Sequence, residues 1–167
     1  MNNSIIDIVK FIEEIAIPVT GSNGFDTNQF HGILGELKTA IYLKEIDKTY
    51  TPAPPNTPDY DGVSKKYGKV SSKYATISNK DSRIFLNNNL NFDNLFITKK
   101  ENNKQELYLI PRNSLTIIKK EKNKIYLTKG SKGKLALAAT KKNLTLIENY
   151  KINKSYEQEK GSYFNQC

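Results

Sequence analysis

Apolar positions recur at helical spacing in the first quarter of the chain and in short, β-branched or aromatic runs after it. Ile5, Ile8, Val9, Phe11, Ile12 and Ile15 mark a helix from Ser4 to Ile15, capped by Asn3 or Ser4 and ended by Pro18. Its apolar side either covers the core or forms a dimer contact. Ile33, Leu34, Leu37, Ala40, Ile41 and Leu43 predict a second helix over Thr27 to Ile46, with Asp26 or Thr27 as cap. At roughly 100° per residue, Glu36 falls about 300° round from Ile33, inside the edge of the apolar arc. Lone carboxylates are seldom buried without a partner, so Glu36 needs one unless it reaches solvent. His31, at about 160°, points away from that arc and reads as a surface residue. Gly32 and Gly35 weaken this helix, which is explained if a backbone or a ligand approaches closely there.

Beyond the four prolines between Pro52 and Pro58, a rigid extended connection, the pattern turns to strands. Tyr60 to Val63 and Gly68 to Tyr74 flank the turn residues Ser64 to Gly68 and predict a hairpin. Alternation puts Asp59 and Asp61 on one face of the first strand and Lys69, Ser71 and Lys73 on one face of the second. Further strands are expected at Phe92–Ile97, Glu106–Arg112, Thr116–Ile118 and Ile125–Leu127, the last two joined by a charged turn. The asparagine-rich stretch from Asn79 to Asn91 is a poor helix former and reads as a loop. Residues 156–167 read as a frayed polar tail. The whole predicts one mixed α/β domain.

Charge is strongly divided. Residues 1–60 carry a net charge of −4 and residues 61–167 a net of +13, which together make the overall +9. The lysine clusters Lys119–Lys124, Lys129–Lys134 and Lys141–Lys142 give the second half the electrostatic footprint of a protein that binds phosphate backbones, although A- and T-rich codons also enrich lysine and asparagine. Only Arg83 and Arg112 are arginines, so base reading would rest on Asn, Gln and Lys. The run Lys129-Gly-Ser-Lys-Gly-Lys134 lacks the spacing of a phosphate-binding loop and reads as a mobile surface turn. One histidine and one cysteine, Cys167, leave no material for a cysteine-based zinc site or a disulfide framework, and no nucleophile motif accompanies His31. With no apolar run of membrane-spanning length and no basic leader, a cytoplasmic protein is expected. Tyr74, Tyr108 and Tyr126 are candidates for base stacking or for half-buried packing.

An acid and a lysine on paired strands make either an exposed ion pair or a site for a hard cation and a phosphate. The order Gly35-Glu36 on a helix, Pro58-Asp59-Tyr60-Asp61, and a strand ending Val70-Ser71-Ser72-Lys73 resembles the PD-(D/E)xK nuclease superfamily, which includes many restriction endonucleases. Phe92–Ile97 and Glu106–Arg112, with its closing Pro-Arg, are similar to the next two core strands of restriction-type members. The resemblance spans about residues 30 to 115. It implies a restriction-endonuclease-like mixed sheet flanked by helices, with a core over about 28–115, a basic extension over about 116–155, and a helix where Asn79–Asn91 stands. It implies hydrolysis of double-stranded DNA with Mg²⁺ or Mn²⁺ by a homodimer. Asp61 corresponds to the metal-binding aspartate, with Asp59 as runner-up; Lys73 to the lysine; Glu36 to the helix glutamate; and the Ser72 carbonyl to a usual metal ligand. Ser71 stands where the family has Glu, Asp or Gln and cannot add negative charge, so a weakened metal site is expected. Lys69, Arg83, Arg112, Lys119, Lys120, Lys129, Lys132 and Lys134 are the candidate DNA contacts.

Overall fold

The computed structural model describes residues 3–54, 56–76, 82–101 and 104–152; the expected tail at 156–167 lies outside them. The N-terminal helix runs from α1 (Asn3–Phe11) through a π-turn (Ile12–Ala16) into α2 (Ile17–Ser22). Pro18 therefore does not end it. Proline cannot donate to the preceding turn and crowds its carbonyl, and the wider π register, in which the Ile17 N–H donates to the Ile12 carbonyl, takes up that misfit. Val9 and Ile12 are buried against the next helix, whereas Ile8, Phe11, Ile15 and Val19 form an exposed stripe.

That next helix, α3 (Asn28–Ile46), buries Leu34, Gly35, Lys38, Thr39, Ile41 and Leu43. Ile33 is 45% exposed and Glu36 is exposed as well, so the buried face is rotated from the one expected. The rotation is possible because Lys38 finds partners inside: its Nζ lies 2.9 Å from Glu13 Oε1 and donates to Gln105 Oε1 at 2.8 Å. The pairing offsets part of the cost of burying the ammonium, whose pKa is still lowered by burial against the opposing pull of Glu13.

Two sheets follow. The first has the order β1 (Thr51–Pro52), β2 (Gly62–Ser64), β3 (Gly68–Thr76), β5 (Asn94–Glu101), β6 (Lys104–Pro111), with β3 and β5 parallel and the other pairs antiparallel. The second runs β4 (Arg83–Asn87), β9 (Lys134–Ala138), β8 (Ile125–Lys129), β7 (Leu115–Thr116). Within the expected Asn79–Asn91 loop, Arg83–Asn87 is strand β4, paired antiparallel with β9, while residues 77–81 lie outside the described residues. A helix over that stretch is excluded by β4 itself. β7 and β8 pair parallel, although a short charged connection joins them. The basic run at 129–134 is the tip between β8 and β9, with Lys132 in the left-handed region at φ 53°. Helix α4 (Lys141–Ile147) closes this second layer, and its Asn143 ties Tyr126 and Ala138 through the side-chain amide.

Strand alternation divides the core in two. Leu95 and Ile97 of β5 face the second sheet and join Leu86, Phe92, Ile110, Ile125, Leu127 and Leu137. Phe96 faces α3 with Leu43, Tyr50 and Val70. Each such fully buried side chain contributes roughly 1.5–3 kcal/mol by leaving water. The parallel register matches Ser71 with Leu95 and Lys73 with Ile97, so these two polar residues point between the sheets, while Ser72 points under α3. The result is one compact mixed α/β domain with helices on one side of the first sheet and the second sheet on the other. No helix among the described residues is long and apolar enough to cross a membrane.

Candidate active site

β2 ends early and β3 does not. Beyond Val70, the edge of β3 that β2 would cover is taken up by Asp61: its N–H donates to the Val70 carbonyl at 2.8 Å, and its Oδ2 accepts from the Ser72 N–H at 2.5 Å. Ser71 Oγ lies 3.5 Å from the same oxygen. Because the N–H and C=O of one strand residue leave on the same side, the Ser72 carbonyl opens beside Asp61. Gly62 is required next to it, since a Cβ there would lie 2.2 Å from Tyr50 Oη. Gly68 is required at the hairpin tip, where φ is +63° and the Asp93 carboxylate occupies the space of a Cβ. That carboxylate accepts from the Lys69 N–H at 2.8 Å and pins the start of β3.

The helix wall comes next. A Cβ at Gly35 would stand 3.1 Å from the Tyr74 nitrogen and 3.3 Å from the Lys73 carbonyl carbon, so glycine lets α3 rest directly on β3 at this point. The close backbone approach expected from its helix cost is present; at Gly32 the space is open. Glu36, one residue on, therefore stands over the end of β3. Its carboxyl is raised above its ordinary value by partial burial and by the negative charge of Asp61, with Lys73 opposing. The Tyr50 phenol is raised too, by burial and then by Asp61 and Glu36. Two carboxylates and a lysine thus act on one another across the strand end.

They line a cleft of about 560 Å³ between α3 and the second sheet. Asn28, His31, Gly32 and Glu36 form one wall, Asp61 and Ser72–Ala75 the floor, and Arg83–Phe85, Leu137 and Ala139 the opposite wall. A smaller polar cavity of about 240 Å³ lies behind Asp61, Ser71 and Lys73, bounded by Asp59, Asn87, Asn89 and Lys134. Asp59 does not join Glu36. Held at φ 78°, it accepts from the side-chain amides of Asn87 at 2.9 Å and Asn89 at 2.7 Å, and so clamps the turn after β4.

Among the described residues no three His, Cys, Asp or Glu side chains gather as a metal site. Asp61, Glu36 and Ser72 line the same cleft, and their two carboxylates and the Ser72 carbonyl make an all-oxygen set of the kind Mg²⁺ accepts when it keeps several waters. The chemistry fits a cation in one respect: the charge of Asp61 bears on Glu36 in the same cleft, and Lys73 opposes it. Among the described residues, the contacts to the Asp61 side chain from Ser71 and Ser72 both use Oδ2.

The basic candidates are scattered. Arg83 lines the main cleft and Lys134 the smaller one. Lys69 lies over the Tyr60 ring and reaches Asn91 Oδ1 at 3.4 Å, and Arg112 Nε donates to the Leu90 carbonyl at 3.1 Å, a tie within the fold. Lys119, Lys120, Lys129 and Lys132 are exposed at the far ends of the second sheet. Sequence reasoning missed Lys99 on the cleft wall and Tyr50 behind Asp61; the Asp61-Gly62 pair was the available signal for the latter. It also misplaced His31, which is half-buried in the cleft and stacks on Tyr74 at 5.4 Å between centroids. Of the tyrosine candidates, Tyr108 is only 1% exposed and its hydroxyl contacts Glu106 and Glu148, so it packs. No protein-family model matches the chain, and no curated protein matches it significantly.

Proposed function

We propose that this protein is a metal-dependent DNA endonuclease of the restriction-endonuclease-like type. The observation that carries the reading is the meeting of Glu36, Asp61 and Lys73 at the open end of β3, enforced by Gly35. It is supported by the strand order in which β3 runs parallel to β5, and weighed down by the strand, β4, in the crossover where that fold type has a helix. Asp61, Glu36 and the Ser72 carbonyl would hold Mg²⁺ or Mn²⁺. The cation supplies an acidified bound water and a charge beside the phosphoryl oxygens. Lys73 orients the attacking water or stabilises charge developing on the phosphate. Asp61 is kept aimed by the Ser72 N–H, and Ser71 offers a hydroxyl to water or phosphate. A cytoplasmic homodimer remains part of this proposal, with the exposed stripe on the N-terminal helix as one surface for it.

A second reading has its own observation. With Ser71 contributing no charge and no third acid gathered there among the described residues, the same fold would bind DNA as a weakened or inactive accessory module. Supercoiled plasmid incubated with Mg²⁺ or Mn²⁺ separates the two. Nicking by wild type that is lost in Asp61→Ala and Lys73→Ala supports the enzyme; equal nicking by all three, or none by wild type with either metal, refutes it.

A further inference from the structure

The main cleft is larger and more apolar than phosphate chemistry requires. Holding a phosphodiester asks for charge and hydrogen-bond donors, and Arg83 and Lys73 supply these within its lining. Yet Ile84, Phe85, Ile97, Leu137, Ala139 and Ile147 also line it, and its volume of about 560 Å³ lies in the range of small-ligand pockets. An aromatic wall completes it. His31 stacks on Tyr74 with their planes 18° apart, and the pair lines the cleft together with Lys73 and with Glu36, five residues on from His31. Tyr74 is a stiff platform: its hydroxyl lies 3.4 Å from Glu13 Oε1, Lys38 Nζ sits 5.9 Å from its ring centre, and its body packs against the apolar cluster between α1 and α3. Gly32, with open space before it, leaves the approach to this wall clear.

A paired duplex offers a protein only base edges and phosphates, because its base faces are buried in the stack. Aromatic and aliphatic walls at nucleotide scale serve an unstacked base. We propose that the cleft takes a single-stranded or locally opened stretch of DNA, with one unstacked base against the His31–Tyr74 wall and the adjoining phosphate at Asp61, Glu36 and Lys73. This rests on the nuclease reading for the phosphate and narrows its substrate from double-stranded DNA to DNA with unpaired residues.

The test is equilibrium binding by fluorescence anisotropy with Ca²⁺ in place of Mg²⁺. The probes are a short labelled oligo-dT, a blunt duplex, and the same duplex with a central unpaired gap. Wild type should bind oligo-dT and the gapped duplex more tightly than the blunt one. Loss of one stacking partner in His31→Ala should weaken oligo-dT binding about tenfold and blunt-duplex binding little, and His31→Phe should restore it. Equal affinity of wild type for blunt and gapped DNA, or an unchanged oligo-dT affinity in His31→Ala, overturns the proposal even if plasmid is cut. Tight, His31-dependent oligo-dT binding by a protein that cuts nothing supports it while refuting the nuclease.

Discussion

Gly62→Ala is the sharpest perturbation of the site that leaves every charged group in place. A Cβ at that position would lie 2.2 Å from Tyr50 Oη, 2.4 Å from Cζ and 2.6 Å from Cε2, where ordinary contact begins near 3.4 Å. The ring has to move by roughly 1 Å, and it is buried, 3% exposed, among Leu43, Val70 and Phe96. Forcing an extra carbon into so packed a core costs about 2–3 kcal/mol. For a chain of this size that lowers Tm by about 4–12 °C, read by circular dichroism. Tyr50→Phe removes only Oη and should not rescue the variant, because Cζ and Cε2 still collide; Tyr50→Leu, which removes the ring, should restore part of the loss relative to Tyr50→Leu alone. A Gly62→Ala protein that melts within 1 °C of wild type would refute the packing of Tyr50 over Gly62, and with it the account of how Asp61 is backed.

Further expectations concern charge. Asp61→Asn should lower the Glu36 titration midpoint by removing a like charge, and Lys73→Met should raise it; side-chain carbon NMR that shows Glu36 indifferent to both would separate the three residues. Ser71→Glu puts a third carboxylate beside Asp61, next to a polar cavity of about 240 Å³. It should melt earlier than wild type without metal and gain more from Mn²⁺ in a thermal-shift titration, and an equal Mn²⁺ response would count against the metal site. Burial pulls the Glu106 carboxyl up, but hydrogen bonds from Lys151 and Tyr108 and the charges of Lys151 and Lys99 outweigh it and leave it at about 2. A carboxyl depressed on folding stabilises above its unfolded value of 4.5 and loses that contribution as pH falls toward 2. Glu106→Gln should therefore flatten the stability curve between those values, and an unchanged acid limb would contradict the network.

What the sequence made legible follows from short-range rules. Period-two alternation and turn residues located Asp61, Ser71 and Lys73, since a hairpin leaves little freedom of face. Gly35 announced a close approach through its cost to the helix. Glu36 was singled out, but the helical wheel placed it on a face set by Ile33, which the fold leaves exposed; a wheel cannot foresee that Lys38 will be buried because Glu13 and Gln105 await it. Half of the second sheet, β4 and β9, was hidden. Lys134-Leu-Ala-Leu-Ala138 has a helix former's composition and becomes a strand only because β4 and β8 flank it. The parallel pairing of β7 with β8 is likewise a product of tertiary closure, with no local signal. His31 was misplaced for the same reason: its neighbour Tyr74 comes from β3.

The central claim is that Asp61, Glu36 and the Ser72 carbonyl form one cation site. Anomalous diffraction from a crystal soaked in Mn²⁺ tests it directly. A peak within coordination distance of all three, absent in Asp61→Ala, is the result predicted; a well-diffracting soak with no peak there, or with Mn²⁺ bound only elsewhere, contradicts it.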